Sequence, residues 1–343
     1  MDYRSAGVDI DAAHRAKNKI RDLVRGTFRP EILGDIGSFG GLFRLDKDQY
    51  RDPVLVASAD GVGTKLKVAF AANRHDTVGY DLVSHCVNDI LVQGARPLFF
   101  LDYLALGKLV PEVVEAVVSG LARACREFGL TLLGGETAEM PGFYPADEYD
   151  LAGTIVGDVE RDRIIDGAAL EPGDQLLGLS STGLHTNGYS LARKIFFDQE
   201  HLTPESHIEE IRAKVGDALL QTHRCYLPFV EPLLDRGLVK ALAHITGGGL
   251  TDNIPRVLPE GTAARIDLDQ WSIPPLFRYL QQKGDIAEAE MLRTFNVGMG
   301  MVVMVSREDL ETTKSLLTDA GEKPFAIGEI VEGECEVIYG GTL

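Results

Sequence analysis

The chain has 343 residues, 45% of them hydrophobic, and carries 34 Lys and Arg against 52 Asp and Glu, a net charge of −18. This length and composition predict two globular domains with well-packed cores and argue against disorder throughout the chain. The negative charge argues strongly against a nucleic-acid-binding surface, which needs clustered positive charge. We therefore expect an anionic substrate to be bound locally, by a few basic side chains, glycine-rich turns and metal ions.

The four cysteines are widely separated and form no Cys-x-x-Cys pair: Cys86, Cys125, Cys225 and Cys335. This pattern favours buried thiols over zinc ligands or disulfides, as expected in a reducing cytosol. The N-terminus lacks the apolar core of a signal peptide, and the longest apolar runs, such as Met299–Val305, are too short to cross a bilayer. We expect a soluble, cytoplasmic protein with no membrane partner.

The first predicted element is a surface helix from Val8 to about Thr27, with acidic residues that can cap its start. The segment Gly34–Gly41 follows and has four glycines among its eight residues. Glycine permits two interpretations, a flexible loop or a flap that covers phosphates, and the sequence leaves both open. In the second interpretation, Gly37, Gly40 and Gly41 contact the cofactor.

An acidic corner follows the first predicted strand. Pro53–Ser58 is apolar and β-branched, which predicts a buried strand, and Leu66–Ala71 has the composition of a helix. Between them, Ala59-Asp-Gly-Val-Gly-Thr-Lys65 turns the chain with two glycines, so that backbone amides can approach a phosphate. We expect Asp60 to bind a divalent cation and Lys65 a terminal phosphate. The further candidate nucleotide contacts in this corner are Gly61, Gly63 and Thr64.

A plain strand–turn–helix corner with a solvated lysine would explain the same seven residues. The Gly-x-x-x-x-Gly-Lys spacing of a Walker loop is absent from this segment. The functional interpretation therefore depends on the other polar segments of the chain.

A polar stripe runs along the next predicted helix, from Gly79 to about Gly94. The spacing puts Asp81, His85 and Asn88 on one helix face, with Asp89 at its edge. Asn and Asp are unfavourable inside a helix, and the rest of this helix is apolar, so the stripe faces either water or a metal–phosphate cluster. We interpret Asp89 as functional and His85 as structural, and we take Asp81 and Asn88 as candidate nucleotide contacts.

Four further elements complete the first half, namely a strand, a helix and two more strands: Arg96–Gly107, Pro111 to about Phe128, Leu130–Gly142 and Tyr149–Val159. Glu136 follows paired glycines after a buried strand, in the same relation to its strand as Asp60. With Asp89, these acids form a three-carboxylate set suited to magnesium, which favours carboxylates, water and nucleotide phosphates.

Residues 160–173 are charged and rich in turn formers. We place the domain boundary there, with an N-terminal domain of residues 1–168 and a C-terminal domain of residues 169–343. Apart from the two turns described next, the second half is predicted to contain a helical region at 208–234 that Pro228 interrupts, helices at 274–282, 285–293 and 307–320, a strand at 298–305 and two short final strands.

Two polar turns mark the second half. Ser180–Ser190 lies between a strand at 175–179 and a helix, where hydroxyls and backbone amides make a good phosphate cradle. Thr246–Gly249 lies between a strand at 239–245 and a helix, and its three consecutive glycines suggest backbone held against a ligand, whereas close packing at a helix entry needs only one. The candidate substrate contacts in these turns are Ser181, His185, Asn187, Gly188, Thr246, Gly247 and Gly248.

In this order, the segments resemble the phosphoribosylformylglycinamidine cyclo-ligases, the aminoimidazole ribonucleotide synthetases of purine biosynthesis. The resemblance runs from about Tyr3 to the last strands without a break and depends on the ordered set of motifs rather than on any one of them. The motifs that carry it are Ala6-Gly-Val-Asp-Ile-Asp11, Asp60-Gly-Val-Gly-Thr-Lys65, Arg74-His-Asp-Thr77, Cys86-Val-Asn-Asp89, Pro97-Leu-Phe-Phe-Leu-Asp-Tyr103, Gly134-Gly-Glu-Thr-Ala-Glu-Met-Pro-Gly142, His185-Thr-Asn-Gly-Tyr-Ser190, His244-Ile-Thr-Gly-Gly-Gly249, Asn253-Ile-Pro-Arg-Val-Leu258 and Arg293-Thr-Phe-Asn296.

The resemblance implies an α/β (α+β) fold of two α/β domains. The N-terminal domain, with a mixed sheet, is expected to bind ATP and Mg²⁺ and to form the interface of a homodimer, and the C-terminal sheet domain, covered by helices, to bind the substrate. The implied reaction is ATP-dependent closure of formylglycinamidine ribonucleotide to 5-aminoimidazole ribonucleotide, with release of ADP and phosphate. The implied site residues are Asp60, Lys65, Asp89 and Glu136 at the nucleotide and magnesium site, His185 in the cleft and Gly37–Gly41 in a mobile loop. His185 is our candidate for proton transfer or for holding the substrate.

Other members of the same superfamily are the alternatives. Thiamine-monophosphate kinases would share the magnesium acids but would not need the His185 and Thr246 segments in this form. Selenophosphate synthetases would need a reactive cysteine near the glycine loop, and none precedes Cys86; hydrogenase-maturation proteins would end in a cysteine, whereas this chain ends at Leu343. The alternative from another class is a non-catalytic nucleotide-binding module, which would not need the complete set of acids.

Overall fold

The structure is a computed structural model that describes residues 9–46, 48 and 50–343. The start of the predicted first helix at Val8 and the Ala6–Val8 part of the first motif lie outside the described residues. The chain divides into two compact units. The first unit runs to Ile90 and resumes over Ala95–Arg161, and the second contains Leu91–Gly94 and Asp162–Leu343. The limits 1–168 and 169–343 stay a prediction.

The first unit contains four strands and four helices in its described part. The strands are β1 (Pro53–Gly61), β2 (Arg96–Leu106), β3 (Thr131–Glu139) and β4 (Tyr149–Glu160), and the helices are α1 (Ile10–Arg25), α2 (Leu66–Ala72), α3 (Val78–Leu91, whose last residue clusters with the second unit) and α4 (Pro111–Glu127). The strands form one sheet in the order β1-β4-β2-β3. It is a mixed sheet, as predicted, because β2 pairs parallel with β3 while the other pairs are antiparallel.

Helix α1 begins at Ile10, because the Asp9 side chain accepts a hydrogen bond from the Ala12 amide and caps it. It packs against α4. Helices α3 and α4 meet through glycines, since a Cβ on Gly79 would lie 2.2 Å from the Val117 carbonyl oxygen. Only glycine permits this approach, which fixes where α3 and its polar stripe lie.

The prediction that Pro53–Ser58 is a buried strand is wrong. β1 is an edge strand of the sheet, and none of its residues is buried. Its side chains alternate between the helix-covered face and an open face, where Leu55 is 57% exposed. Leu101 and Tyr103 of β2 are also exposed, so this face of the sheet is apolar and open in the single chain.

The second unit is built on a six-stranded sheet in the order β12-β9-β11-β5-β10-β8, with a separate two-stranded sheet of β6 and β7. The strands are β5 (Gln175–Ser180), β6 (His207–Ile208), β7 (Ala213–Lys214), β8 (Val239–His244), β9 (Thr262–Asp267), β10 (Met299–Val305), β11 (Phe325–Glu332) and β12 (Val337–Gly340). The helices are α5 (Tyr189–Arg193), α6 (Val215–Leu219), α7 (Leu227–Asp235), α8 (Gly249–Asn253), α9 (Pro275–Gly284), α10 (Glu288–Thr294) and α11 (Leu310–Asp319). Every residue of β10 is buried, and this strand lies inside the sheet between β5 and β8.

One prediction for this unit is wrong, and one strand was not predicted. The predicted helical region at 208–234 is interrupted by β7 and the turn before it, and only α6 and α7 are helical there. β9 is not predicted, because its sequence, Thr-Ala-Ala-Arg-Ile-Asp, lacks a run of β-branched or aromatic residues. Its neighbours β11 and β12 determine its conformation. No helix in the described ranges is both long and apolar enough to span a bilayer.

Candidate active site

The structure brings Asp60 and Asp89 together through His85. Asp60 lies at the end of β1, and His85 and Asp89 lie one turn apart on α3. His85 Nε2 is 2.8 Å from Asp60 Oδ2 and 3.5 Å from Asp89 Oδ2. Ser58 donates a hydrogen bond of 3.1 Å to Asp89 Oδ2. We call Asp60 and Asp89 the acid pair. Their side chains are 41% and 24% exposed, whereas that of His85 is 5% exposed beneath them.

The electrostatics of this cluster favour charged side chains. Burial opposes the charge on His85, but the hydrogen bond to Asp60 and the charge of Asp89 outweigh it and raise the pKa of His85. Burial would likewise raise the pKa of Asp60, but the hydrogen bond from His85 outweighs it and holds the pKa of Asp60 below its usual value. His85 was interpreted from the sequence as structural and was not a predicted site residue. Its spacing of four residues from Asp89 was the signal that could have identified it.

Lys65 is not at the surface. Its ammonium lies 2.7 Å from Asp81 Oδ2, and both side chains are fully buried. Burial lowers the pKa of Lys65 and outweighs the opposing effect of the Asp81 charge. The structure thus gives Lys65 an ion-pair partner where the sequence predicts a phosphate. Asn88 of the same stripe is also fully buried.

Glu136 does not join the acid pair within one chain. It lies inside β3, not in a turn after it, and β1 and β3 are opposite edges of the sheet. The strand register places Asp60, Gly153, Asp102 and Gly135 in one row across the sheet. Three strand spacings of about 4.8 Å therefore separate Asp60 from β3, and Glu136, one residue beyond that row, points to the other face. The sequence predicts that acids follow strands, but it does not predict the strand order.

Asp102 is a candidate that the sequence analysis missed. It is one of the residues that line a cavity of about 390 Å³, together with Asp60, Leu101, Tyr103 and Thr154 among others. Burial raises the pKa of Asp102 to about 7, with a backbone hydrogen bond opposing and the Glu136 charge contributing. The only sequence signal was an acid inside an otherwise apolar strand.

The glycine-rich segment forms an exposed loop with an anchored base. A bridge between Ile32 and Phe43 closes it, and the Arg25 Nε donates a hydrogen bond of 2.9 Å to Asp35 Oδ1 at its start. The predicted cofactor contacts in this loop are all exposed: Gly37, Gly40 and Gly41. In the corner after β1, Gly63 and Thr64 are exposed and Gly61 is partly buried. The Gly61 amide donates a hydrogen bond of 2.6 Å to Asp60 Oδ1, which ties this corner to the acid pair.

In the second unit, Asn296 fixes the first polar turn. Its Oδ1 accepts hydrogen bonds from Ser181 Oγ at 3.0 Å and from the Gly298 amide at 2.9 Å, and its Nδ2 donates to the Gly183 carbonyl at 2.9 Å. One side chain therefore joins the first polar turn to the segment that enters β10, and Asn296 was not a predicted site residue.

The second polar turn lies beside the first. A Cβ on Gly247 would be 3.2 Å from Asn187 Oδ1, so the predicted contacts of both turns are neighbours. Asn253 Nδ2 donates hydrogen bonds to the carbonyls of Thr246, Gly247 and Gly249, at 3.4, 3.2 and 2.8 Å. This side chain holds the turn from inside the unit.

His185 is buried, with 1% of its surface exposed, at a left-handed backbone position with φ of 59°. Its Nε2 accepts a hydrogen bond of 3.2 Å from the Thr182 amide, and its ring stacks on His223 with centroids 4.1 Å apart. In the structure, the ring supports the polar turn from inside the unit. The predicted contact of His185 with the substrate stays a prediction.

The comparisons with known proteins cover both units. Residues 42–159 match the model of the AIR synthase related protein N-terminal domain, and residues 171–340 match that of the C-terminal domain. The phosphoribosylformylglycinamidine cyclo-ligase of Desulfitobacterium hafniense is 55% identical over 337 residues, which is 97% of each chain.

Two solved structures are similar in fold. The thiamine-monophosphate kinase of Stenotrophomonas maltophilia has a TM-score of 0.71 at 20% identity, over 94% of this chain and 96% of its own. The hydrogenase maturation protein HypE in complex with ATP has a TM-score of 0.65 at 18% identity, over 95% of this chain and 90% of its own. At such identities the likeness concerns the fold alone.

The two α/β units and the high identity to a named cyclo-ligase define the chain as a ligase. It belongs to the AIR synthase related protein family, whose two domain models together cover most of its length.

Proposed function

We propose that the chain catalyses ATP-dependent ring closure of formylglycinamidine ribonucleotide to 5-aminoimidazole ribonucleotide, with release of ADP and phosphate, in purine biosynthesis. The observation that carries this proposal is the 55% identity over 97% of the chain to a phosphoribosylformylglycinamidine cyclo-ligase. The kinase of similar fold, at 20% identity, supports the architecture and not the reaction.

The reaction requires an activated amide. The amide oxygen is a poor leaving group, so it first attacks the γ-phosphorus of ATP and ADP departs. The phosphorylated formyl carbon is then an electrophile for the amidine nitrogen of the same molecule. That nitrogen loses a proton as the ring closes, and the former amide oxygen leaves with the phosphate. Such a sequence needs positioning and charge stabilisation rather than a protein nucleophile.

The acid pair fits a magnesium site. Magnesium is usually held by one or two carboxylates together with water and substrate phosphates, and Asp60 and Asp89 are two partly exposed carboxylates joined through one histidine. Bound Mg²⁺ would neutralise charge on the transferring phosphoryl group. His85 orients both carboxylates from the buried side. Glu136 stays a predicted ligand, although within one chain it does not lie beside the acid pair.

The nucleotide and the substrate are assigned to different polar segments. We assign ATP to the exposed backbone of the glycine loop and to Gly61, Gly63 and Thr64, because glycines let the backbone of both segments approach phosphates closely. Lys65 and Asp81 support this corner from within. We assign the substrate to the two neighbouring turns of the second unit, through Ser181, Asn187, Gly188, Thr246, Gly247 and Gly248.

We also propose a homodimer formed through the open face of the first sheet. Leu55, Leu101 and Tyr103 are 57%, 37% and 41% exposed there, and exposed apolar surface on one face of a sheet can mark an interaction site. A cytoplasmic location fits the four cysteines, which are all free thiols.

The direct test is incubation of the protein with ATP, magnesium and formylglycinamidine ribonucleotide, followed by mass spectrometry. We expect aminoimidazole ribonucleotide and ADP in equal amounts. Thiamine monophosphate serves as the matched alternative substrate. Its phosphorylation, without any aminoimidazole product from the amidine, would replace this proposal with the kinase function.

A further inference from the structure

A chain of histidines lies inside the second unit, behind the two polar turns. His223, which is fully buried, lies between α6 and α7. Its ring stacks on His185, with centroids 4.1 Å apart and 22° between the planes. Its Nε2 is 3.1 Å from Nε2 of His244, the last residue of β8, and its Nδ1 is 3.3 Å from Thr186 Oγ1. His223 therefore contacts the first turn directly and the end of β8, the strand that leads into the second turn.

The contact between His223 and His244 restricts their protons. Two imidazole nitrogens at 3.1 Å form a hydrogen bond only when exactly one of them carries hydrogen. If His223 donates, His244 carries its own hydrogen on Nδ1, and the Thr186 hydroxyl can donate to His223 Nδ1. If His244 donates, His223 carries hydrogen on Nδ1 and donates to Thr186. The tautomer of His244 is thus linked to the hydroxyl of the first polar turn.

The surroundings hold these rings in place. A Cβ on Gly300 would lie 2.5 Å from His185 Cε1, so β10 closes the space beside the stacked pair. The Tyr226 hydroxyl donates a hydrogen bond of 2.8 Å to the Ser180 carbonyl. A ring packed this tightly transmits a change at one turn to the other, because it has no free space in which to move.

We propose that His223 is a positioning residue for the ring closure: it fixes the tautomer of His244 and, through Thr186, holds the two substrate turns in one arrangement. This inference rests on the proposed function, because the substrate turns are assigned through it. A buried histidine that only fills space would need its ring but not the hydrogen bonds. The two roles therefore differ in which replacement they tolerate.

The test compares H223F with H223Q. The phenylalanine variant keeps a ring for stacking but removes both hydrogen bonds, whereas the glutamine variant keeps an amide that can donate to His244. We expect H223F to lower kcat for the amidine about tenfold, the effect typical of removing a histidine's orienting partner, without changing the Kd for ATP. H223Q should recover most of that loss. The matched control is H207F. It makes the same replacement at a histidine whose side chain is 59% exposed, outside the buried cluster.

A second readout does not depend on turnover. In ¹⁵N-histidine-labelled protein, we expect NMR to find one protonated and one unprotonated Nε2 at His223 and His244, and H223F to change the tautomer of His244. Absence of product with the wild-type protein would end the proposed function, while the NMR pattern would still decide whether the proton is shared. Unchanged kcat in folded H223F, equal losses in H223F and H223Q, or an unchanged His244 spectrum would each overturn the inference. If H223F does not fold, two other results decide. H223Q should retain most of the wild-type kcat, and the wild-type spectrum should show one protonated and one unprotonated Nε2.

Discussion

At Asp89, the replacement of one carboxylate oxygen by an amide nitrogen is expected to abolish metal binding. Its carboxylate accepts from Ser58 and lies beside His85, and part of it is exposed. Asn keeps the shape and one oxygen but removes the charge that a magnesium ion requires.

We therefore expect Asp89→Asn to lower turnover about 100-fold or more, since a bound metal supplies several kcal/mol of transition-state stabilisation. Its thermal unfolding should resemble that of the wild type. Steady-state kinetics over a range of magnesium concentrations measures the effect, with Asp319→Asn, an exposed change at the end of α11, as the control. Turnover close to that of the wild type would remove Asp89 from the metal site.

Lys65 and Asp81 make a different prediction, because their ion pair is fully buried. Replacing Lys65 with Met leaves an uncompensated carboxylate inside the unit, which costs about 3–5 kcal/mol of unfolding free energy. The double variant K65M/D81L should recover most of that loss, since no buried charge remains. Urea unfolding measures both. If Lys65→Met instead leaves stability unchanged and weakens ATP binding, Lys65 contacts the phosphate as the sequence predicts.

At the level of elements, strand β10 limits the space around His185. A Cβ on Gly300 would lie 2.1 Å from the Tyr226 hydroxyl oxygen and 2.5 Å from His185 Cε1. We expect Gly300→Ala to destabilise the protein by about 1–3 kcal/mol, as overpacking typically does, and to lower kcat. Y226F/G300A should regain part of the stability, because it removes the nearest atom. Thermal unfolding measures the stability of both variants. If Gly300→Ala were as stable and active as the wild type, the space around Gly300 would be less tightly packed than these distances indicate.

The elements themselves show what the sequence could predict. Helix α1 with its Asp9 cap, the strands at Arg96 and Tyr149, and the polar turns follow from local patterns, and the structure confirms them. The order of the strands does not follow from local patterns, because it depends on pairings between distant segments. For that reason Glu136 was predicted to lie beside Asp60 and instead lies on the opposite edge strand.

The partners of buried side chains could not be predicted from the sequence either. A lysine after two glycines predicts a phosphate ligand. Nothing near Lys65 in the sequence indicates that Asp81, sixteen residues later, forms an ion pair with it. His223 has no motif around it, and only the packing of α6, α7 and β8 brings it to His185 and His244. Sequence patterns identified the polar segments, whereas burial and partners came from the fold.

At the scale of the whole molecule, the open face of the first sheet predicts a dimer. Stable interfaces bury about 800 Å² on each partner, and an apolar sheet face can supply such an area. We expect the wild-type protein to sediment as a dimer and Leu101→Asp to shift it towards monomer, because a carboxylate on this face would be buried without a partner. Leu55→Asp tests the same face from the edge strand. Wild-type protein that sediments as a monomer at micromolar concentration would contradict the proposal.

The central claim is that ATP activates the amide oxygen of the substrate for ring closure. The most direct measurement uses substrate labelled with ¹⁸O at the formyl amide and follows the released phosphate by mass spectrometry. We expect one ¹⁸O atom in each phosphate formed, because that oxygen leaves with the phosphoryl group. Unlabelled phosphate, with the ¹⁸O released into water, would contradict it.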